Sequence, residues 1–134
     1  MNSLVNLESL ELDGTTVTGA GITGLNALKK VTLINLGKTR ATAEGLDGLK
    51  NFKDLTELIL AETFVGDEGL GRLKGLAKLQ SLNLDGASVT NTGLQQLSGL
   101  PALENVQASR THVTRAGVEN LKTTSPKIFV SFEN

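Results

Sequence analysis

The 134-residue chain has no cysteine, no tryptophan and no tyrosine, and only four phenylalanines. Without cysteine it has neither a disulfide framework nor a thiolate metal site. With so few aromatic rings, its core must be built from leucine and valine, which suits a regular, repeated packing. A dominant charge is missing too. Thirteen basic residues against 14 acidic ones leave a net charge of −1, and such a balance gives no electrostatic reason to bind nucleic acid or an anionic membrane. The apolar stretches are only a few residues long, so no transmembrane helix is expected. The N-terminus, MNSLVNLESL, lacks the basic-then-apolar form of a signal peptide. The expectation is a soluble chain, either cytoplasmic or exported after removal of a leader. Its length is that of one ordinary domain, enough to bury a real core.

What is present is a 24-residue register. Stepping by 24 from Leu10 gives Ile34, Leu58, Leu82, Val106 and Val130, and from Leu12 gives Leu36, Leu60, Leu84, Ala108 and Phe132. Leu25, Leu49, Leu73, Leu97 and Leu121 are identical, and no insertion or deletion interrupts the series. Within each unit, Leu10 and Leu12 and their equivalents alternate with polar residues, the period of a strand with one buried face. Ile22, Leu25 and Leu28 and their equivalents then follow at helical spacing. One strand, one short helix and a return in 24 residues make every strand parallel to its equivalent about 4.8 Å away. This predicts strands near 8–12, 32–36, 56–60, 80–84, 104–108 and 128–132, and helices near 19–27, 43–51, 67–75, 91–99 and 115–123.

Thr18, Thr42, Thr90 and Thr114 stand just ahead of the helical runs, where a hydroxyl can cap free N–H groups; Asp67 is the candidate for that role in the third unit. Lys50, Lys74 and Lys122 come near the helix ends, the favourable side of the helix dipole. Gly21, Gly45, Gly69, Gly93 and Gly117 occupy one slot of every unit, within or beside the helix, where glycine costs about 0.5–1 kcal/mol relative to alanine. A shared cause must offset that cost. Either a side chain there would strike the adjacent coil or the turn, or the slot has a positive φ.

The stretches LESLELDGTTVTGAGITGLNAL, LTELILAETFVGDEGLGRLKGL and LQSLNLDGASVTNTGLQQLSGL resemble leucine-rich repeats, with L-x-x-L-x-L followed by V-T-x-x-G-L-x-x-L. They are most similar to the short bacterial forms and to the cysteine-containing type. The resemblance covers nearly the whole chain. It implies a single leucine-rich-repeat domain over 1–134, with five 24-residue units and partial terminal units. The implied fold is a right-handed α/β solenoid, a horseshoe arc with six parallel strands on the concave side and five short helices on the convex side. Thr15, Thr39, Thr63, Ala87 and Thr111 stand where those families often place Asn or Cys. Threonine hydroxyls are therefore expected to bond the turn backbone in place of a buried asparagine ladder. At the C-terminus Thr124 and Lys127 fall where leucine is expected, and the last unit, SPKIFVSFEN, is expected to act as a cap. The chain begins in mid-unit, so the first strand's open edge implies either a fragment of a longer array or a face for self-association.

Chemistry-bearing constellations are absent. His112 is the only histidine, and no Ser or Asp can be placed beside it. In GDEG, Asp67 and Glu68 sit at a helix start, where acids are favourable without a metal. The phosphate-loop pattern G-x-x-x-x-G-K-[ST] does not occur. No enzyme activity, metal or cofactor is expected.

The outward strand positions and those flanking them make 24 positions on one face, with seven acids (Glu8, Glu11, Asp13, Glu57, Asp85, Glu104 and Glu133) and no Lys or Arg. Leu33 and Ile59 interrupt the polar surface as a small exposed apolar spot. Further along the ascending loop, Thr16, Arg40, Phe64, Ser88 and His112 form a second row, beside Lys38, Glu62 and Arg110. Phe64 either faces water or folds onto the neighbouring turn. Aromatic and Arg residues are the usual material of interface hot spots. The expected function is a non-catalytic protein–protein recognition module for a polar or basic partner. Its candidate contact residues are Glu11, Leu33, Asn35, Arg40, Glu57, Ile59, Phe64, Asn83, Asp85, Gln107, Arg110 and His112. The alternative is a structural scaffold that self-associates through its terminal repeats. The lysines collect near the helix ends and descending turns, without the net charge and stacking aromatics that a nucleic-acid surface needs.

Overall fold

Leu10, Ile34, Leu58, Leu82, Val106 and Val130 stand at the centres of six three-residue strands in the computed structural model, which describes residues 6–18 and 28–133. The strands are β1 (Ser9–Glu11), β2 (Leu33–Asn35), β3 (Glu57–Ile59), β4 (Ser81–Asn83), β5 (Asn105–Gln107) and β6 (Phe129–Ser131). They form one parallel sheet in chain order, and every pairing joins residues 24 apart, such as Leu58 with Leu82. Each strand begins its own coil. The strands are shorter than the five residues read from sequence, but the cross-coil bonding continues past their ends. Thr32 N–H donates to Glu8 O, Thr56 to Thr32 and Gln80 to Thr56, each at 2.8 Å. On the other side Leu36 donates to Ile59 O and Leu60 to Asn83 O, also at 2.8 Å.

Opposite the sheet lie the helical segments. A 3-10 helix spans Glu44–Asn51, α1 spans Gly66–Gly71, α2 spans Asn91–Gln96 with a 3-10 turn at Leu97–Gly99, and α3 spans Arg115–Thr124. The helix expected near 19–27, with its glycine Gly21, lies outside the described residues. The helix expected at 67–75 ends at Gly71, while the last one runs on to Thr124. Leu46 with Leu49, Leu70 with Leu73, Leu94 with Leu97, and Val118 with Leu121 are spaced three apart and buried, a spacing that both 3-10 and α geometry bring to one face. Sheet and helices enclose one aliphatic core in which Phe52 is the one aromatic ring among the fully buried side chains.

The turn after each strand repeats as closely as the strand does. Gly14, Lys38, Glu62, Gly86 and Arg110, 24 residues apart, all have positive φ between 56° and 72°. The left-handed residue keeps its N–H in the cross-coil ladder, as where Lys38 donates to Ala61 O at 2.8 Å, while turning the chain toward the core. Where it is not glycine this costs roughly 1–2 kcal/mol, against a ladder bond and the threonine that follows. Thr39, Thr63 and Thr111 are buried, and their hydroxyls donate to Leu36 O, Leu60 O and Ala108 O at 2.6–2.7 Å. Thr39 and Thr111 also accept from Ala41 N–H and Val113 N–H. Threonine thus does the work expected of it in place of asparagine. In the fourth coil, where Ala87 stands, backbone bonds from Ala87 to Leu84 and from Val89 to Ala87 close the turn. Thr39→Val, which keeps the shape and removes the hydroxyl, is expected to cost about 1–2 kcal/mol in urea unfolding.

The caps divide. Thr90 accepts from Thr92 N–H and Thr114 from Gly117 N–H, both as N-caps. Thr42 does not cap: Ala43 occupies the cap position without a side-chain bond, and the Thr42 hydroxyl donates to Glu44 instead. Asp67 is not a cap either, because it lies inside α1, whose cap residue is Val65. Its carboxylate reaches the next coil, accepting from Thr90 N–H at 2.8 Å and from the Thr90 hydroxyl at 2.5 Å. Asn91 repeats the contact one coil later, accepting from Thr114 N–H at 2.9 Å and donating to its hydroxyl at 2.8 Å. One coil's helix start therefore holds the next coil's cap.

The glycine slot is explained by the same contact. A Cβ on Gly93 would lie 2.2 Å from Asp67 Oδ1, and one on Gly117 would lie 2.0 Å from Asn91 Oδ1. The φ angles of Gly69, Gly93 and Gly117 are not positive, so crowding, and not backbone handedness, keeps these positions bare: the adjacent coil crowds Gly93 and Gly117, while at Gly69 a Cβ would lie 2.9 Å from Val65 Cβ of its own coil and 3.2 Å from Leu46 Cδ1 of the adjacent one. In the last helix Val118 and Leu121 are 5% and 0% exposed.

Candidate interaction surface

The in-register pairing sorts the outward side chains into straight rows. Ser9, Leu33, Glu57, Ser81, Asn105 and Phe129 make one row, and Glu11, Asn35, Ile59, Asn83, Gln107 and Ser131 the next. Glu11, Glu57, Asn105 and Gln107 are exposed. Leu33 and Ile59, expected as an exposed spot, are half-buried, because each stands between in-register neighbours about 4.8 Å away on both sides, Leu33 beside Glu57 and Ile59 beside Asn35. Ile128, which the 24-residue step places among the outward positions, is buried at 2%, unlike its exposed equivalents Glu8, Thr32, Gln80 and Glu104.

Several of the polar candidates have structural partners. Asn35 Oδ1 accepts from Gly37 N–H at 2.9 Å and Asn83 Oδ1 from Asp85 N–H at 3.0 Å. Asp85 Oδ1 accepts from Ser109 N–H at 2.8 Å in the next coil. These side chains stiffen the turn and leave their remaining polar atoms outward.

Charge is distributed unevenly between the two sides. On the helix side, Arg72 bonds Asp47 at 2.7 Å and Glu68 at 2.6 Å, and Lys78 bonds Asp54 at 2.8 Å. The Glu68 hydrogen bond, aided by the charge of Asp47, holds Arg72 even more firmly protonated than usual. Glu44 there lies below the ordinary carboxylate range, first because of a backbone hydrogen bond, then the Thr42 hydroxyl and the charge of Arg72. Among the described residues, none of the seven sheet-face acids has a cation within ion-pair distance.

Beside the sheet runs a rim with a different character. Arg40, Phe64, Ser88 and His112 are all exposed, and Phe64 is 70% exposed, which decides between the two readings of that ring in favour of water. Phe64 and His112 occupy equivalent places, bridged to Thr42 and Thr90 respectively. Arg110 Nη1 lies 3.7 Å from Glu62 Oε1, two coils away. The pair meets over Gly86, where a Cβ would lie 2.8 Å from Glu62 Cγ. Phe129, 62% exposed on β6, is the apolar surface residue that the candidate contacts omitted. Its signal was legible, since it occupies the row otherwise holding Ser, Leu, Glu, Ser and Asn.

Among the described residues no three His, Cys, Asp or Glu side chains gather closely enough to hold a metal ion, and no helix is long and apolar enough to cross a membrane.

Three solved structures share this geometry. An internalin (inlF) from Listeria monocytogenes matches with a TM-score of 0.76 at 21% identity, over 97% of this chain and 36% of that one. An internalin C2 (inlC2) from the same organism gives 0.74 at 24% identity, over 97% and 53%. A leucine-rich-repeat protein of Leptospira interrogans gives 0.65 at 18% identity, over 96% and 38%. The fold is therefore the leucine-rich-repeat solenoid, of the kind that bacterial internalins share. This chain spans 36–53% of the length of the structures it matches. No protein-family model matches the sequence, and no curated protein does.

Proposed function

We propose that this chain is a non-catalytic recognition module that presents the acidic sheet face and its rim to a basic protein surface. The observation that supports this reading is the segregation of charge: the seven acids of the sheet-face positions, which hold no Lys or Arg, have no cation within ion-pair distance among the described residues, while Asp47, Glu68 and Asp54 on the helix side pair with Arg72 or Lys78. A solenoid whose side chains are already held by cross-coil bonds loses little conformational freedom on binding. Glu11, Glu57 and Gln107 supply polar contacts; Asn35, Asn83 and Asp85 add rigid ones; Leu33 and Ile59 supply half-buried apolar area; Arg40, Phe64, Arg110 and His112 form the rim. The likeness in fold to internalins agrees with an interaction role.

Affinity capture with the wild-type chain and with the Leu33→Asp/Ile59→Asp/Phe64→Ala variant tests this reading. The variant is expected to lose the captured proteins while its circular dichroism stays the same, and wild-type binding is expected to weaken as salt screens the face. Equal capture by both chains would count against the sheet face.

A second reading, self-association as a scaffold, is favoured by one observation. Leu7, Leu10, Leu12 and Val17 of the first coil are only half-buried, whereas their counterparts in the second to fifth coils are enclosed. On this reading Leu10→Lys or removal of residues 1–12 changes the mass measured by light scattering, and an unchanged mass rejects it.

A further inference from the structure

The rim is notched at the fourth coil. Gly86 and Ser88 hold the places that Glu62 and Phe64 hold on the third coil and that Arg110 and His112 hold on the fifth. Phe64 and His112 are separated by two strand spacings, roughly 9.6 Å. A ring stacked midway would lie about 4.8 Å from each, within the roughly 4.5–7 Å at which aromatic centroids pack. The floor is small and exposed at Ser88, and the side toward the sheet is closed by the Glu62–Arg110 pair over Gly86.

The charge around the notch selects its occupant. Lys38, Arg40 and Arg110 stand along the rim with Glu62 as the one acid among them, so a cationic side chain meets repulsion here that it does not meet on the sheet. A neutral aromatic ring instead gains from every wall: stacking on Phe64 and His112, cation–π attraction from Arg110, and, for an indole or phenol, a hydrogen bond to Glu62. We propose that the notch between Phe64 and His112 receives a single aromatic side chain of a polypeptide partner whose flanking basic residues lie over the acidic sheet. This rests on the recognition reading above and supplies its anchor.

Because the chain contains no Trp or Tyr, a tryptophan in the probe is the one strong fluorophore. The probe is the peptide Lys-Ser-Lys-Trp-Lys-Ser-Lys, titrated with the full chain, with analogues carrying Phe or Ala in place of Trp as competitors. A saturable blue shift of the indole emission is expected, with the Phe analogue competing at least tenfold better than the Ala analogue. Ser88→Phe, which fills the notch, and Phe64→Ala, which removes one wall, are each expected to weaken binding at least tenfold. Both positions are exposed, and unchanged thermal melting verifies the fold. Glu57→Gln/Glu104→Gln is expected to weaken binding but to keep the blue shift at saturation. Equal binding by wild type and Ser88→Phe, or equal competition by the Phe and Ala analogues, overturns the notch. If the sheet-acid variant alone then loses the peptide, the acidic face stands without its anchor. Absence of any binding overturns the notch and leaves the face to the capture experiment.

Discussion

Gly93→Ala is expected to lower stability by about 2–3 kcal/mol in urea unfolding, and Gly93→Leu to prevent cooperative folding of the third and fourth coils. Alanine in a helix ordinarily gains up to about 1 kcal/mol over glycine, so a loss requires a steric cause. The new Cβ would lie 2.2 Å from Asp67 Oδ1 and 3.0 Å from Asp67 Cα. Moving the carboxylate breaks both of its bonds to Thr90, and moving the backbone parts the coils; overpacking alone costs about 1–3 kcal/mol. Asp67→Ala by itself is expected to cost about 1–2 kcal/mol from the lost bonds. In that background Gly93→Ala should cost about 1 kcal/mol, so that a double-mutant cycle reads the coupling directly. Gly117→Ala should resemble Gly93→Ala, since Asn91 stands against it in the same way. Gly69→Ala should lose less than the other two, because Ala43 fills the slot that Asp67 and Asn91 fill elsewhere and no cross-coil bond is broken, although the new Cβ would lie 2.9 Å from Val65 Cβ and 3.2 Å from Leu46 Cδ1. Equal losses at all three positions would reject the cross-coil cause.

Leu58→Ala is expected to cost about 3–4 kcal/mol, and Leu10→Ala about 1 kcal/mol, although the two leucines occupy the same slot. Leu58 is 0% exposed between two neighbouring strands, whereas Leu10 is half-buried with β2 on one side only. In a solenoid each coil contacts only its neighbours, and stability sums over those interfaces. A cavity in the middle therefore weakens two interfaces and the end position one. Hydrogen exchange should show the same gradient, with amides of β3 and β4 slowest and those of β1 fastest. A uniform exchange rate across the sheet would mean that the solenoid opens as one unit.

Much of the candidate surface is legible from the 24-residue step, because a side-chain period of two and an exact register fix which face of a strand each residue shares. Glu11, Glu57 and Gln107 emerged where that argument places them. The half-burial of Leu33 and Ile59 is not legible there, because the step says which face a residue shares and not how much of it its neighbours cover. Asp67 was read as a cap because acids are usual at helix starts. Its use by Thr90 depends on a coil 23 residues later in the chain, and no local pattern encodes that. Phe64 was undecided because packing down and facing out are both compatible with one unusual residue in a repeated slot.

From the sequence alone follow the repeat, the parallel strands and the leucine core, since each depends on spacing that a solenoid copies directly into space. The tertiary structure alone decided which coil supports which cap, why the glycine slot stays bare, and that Glu62 and Arg110 meet over Gly86. These are contacts between coils, set by the few ångströms that separate stacked turns.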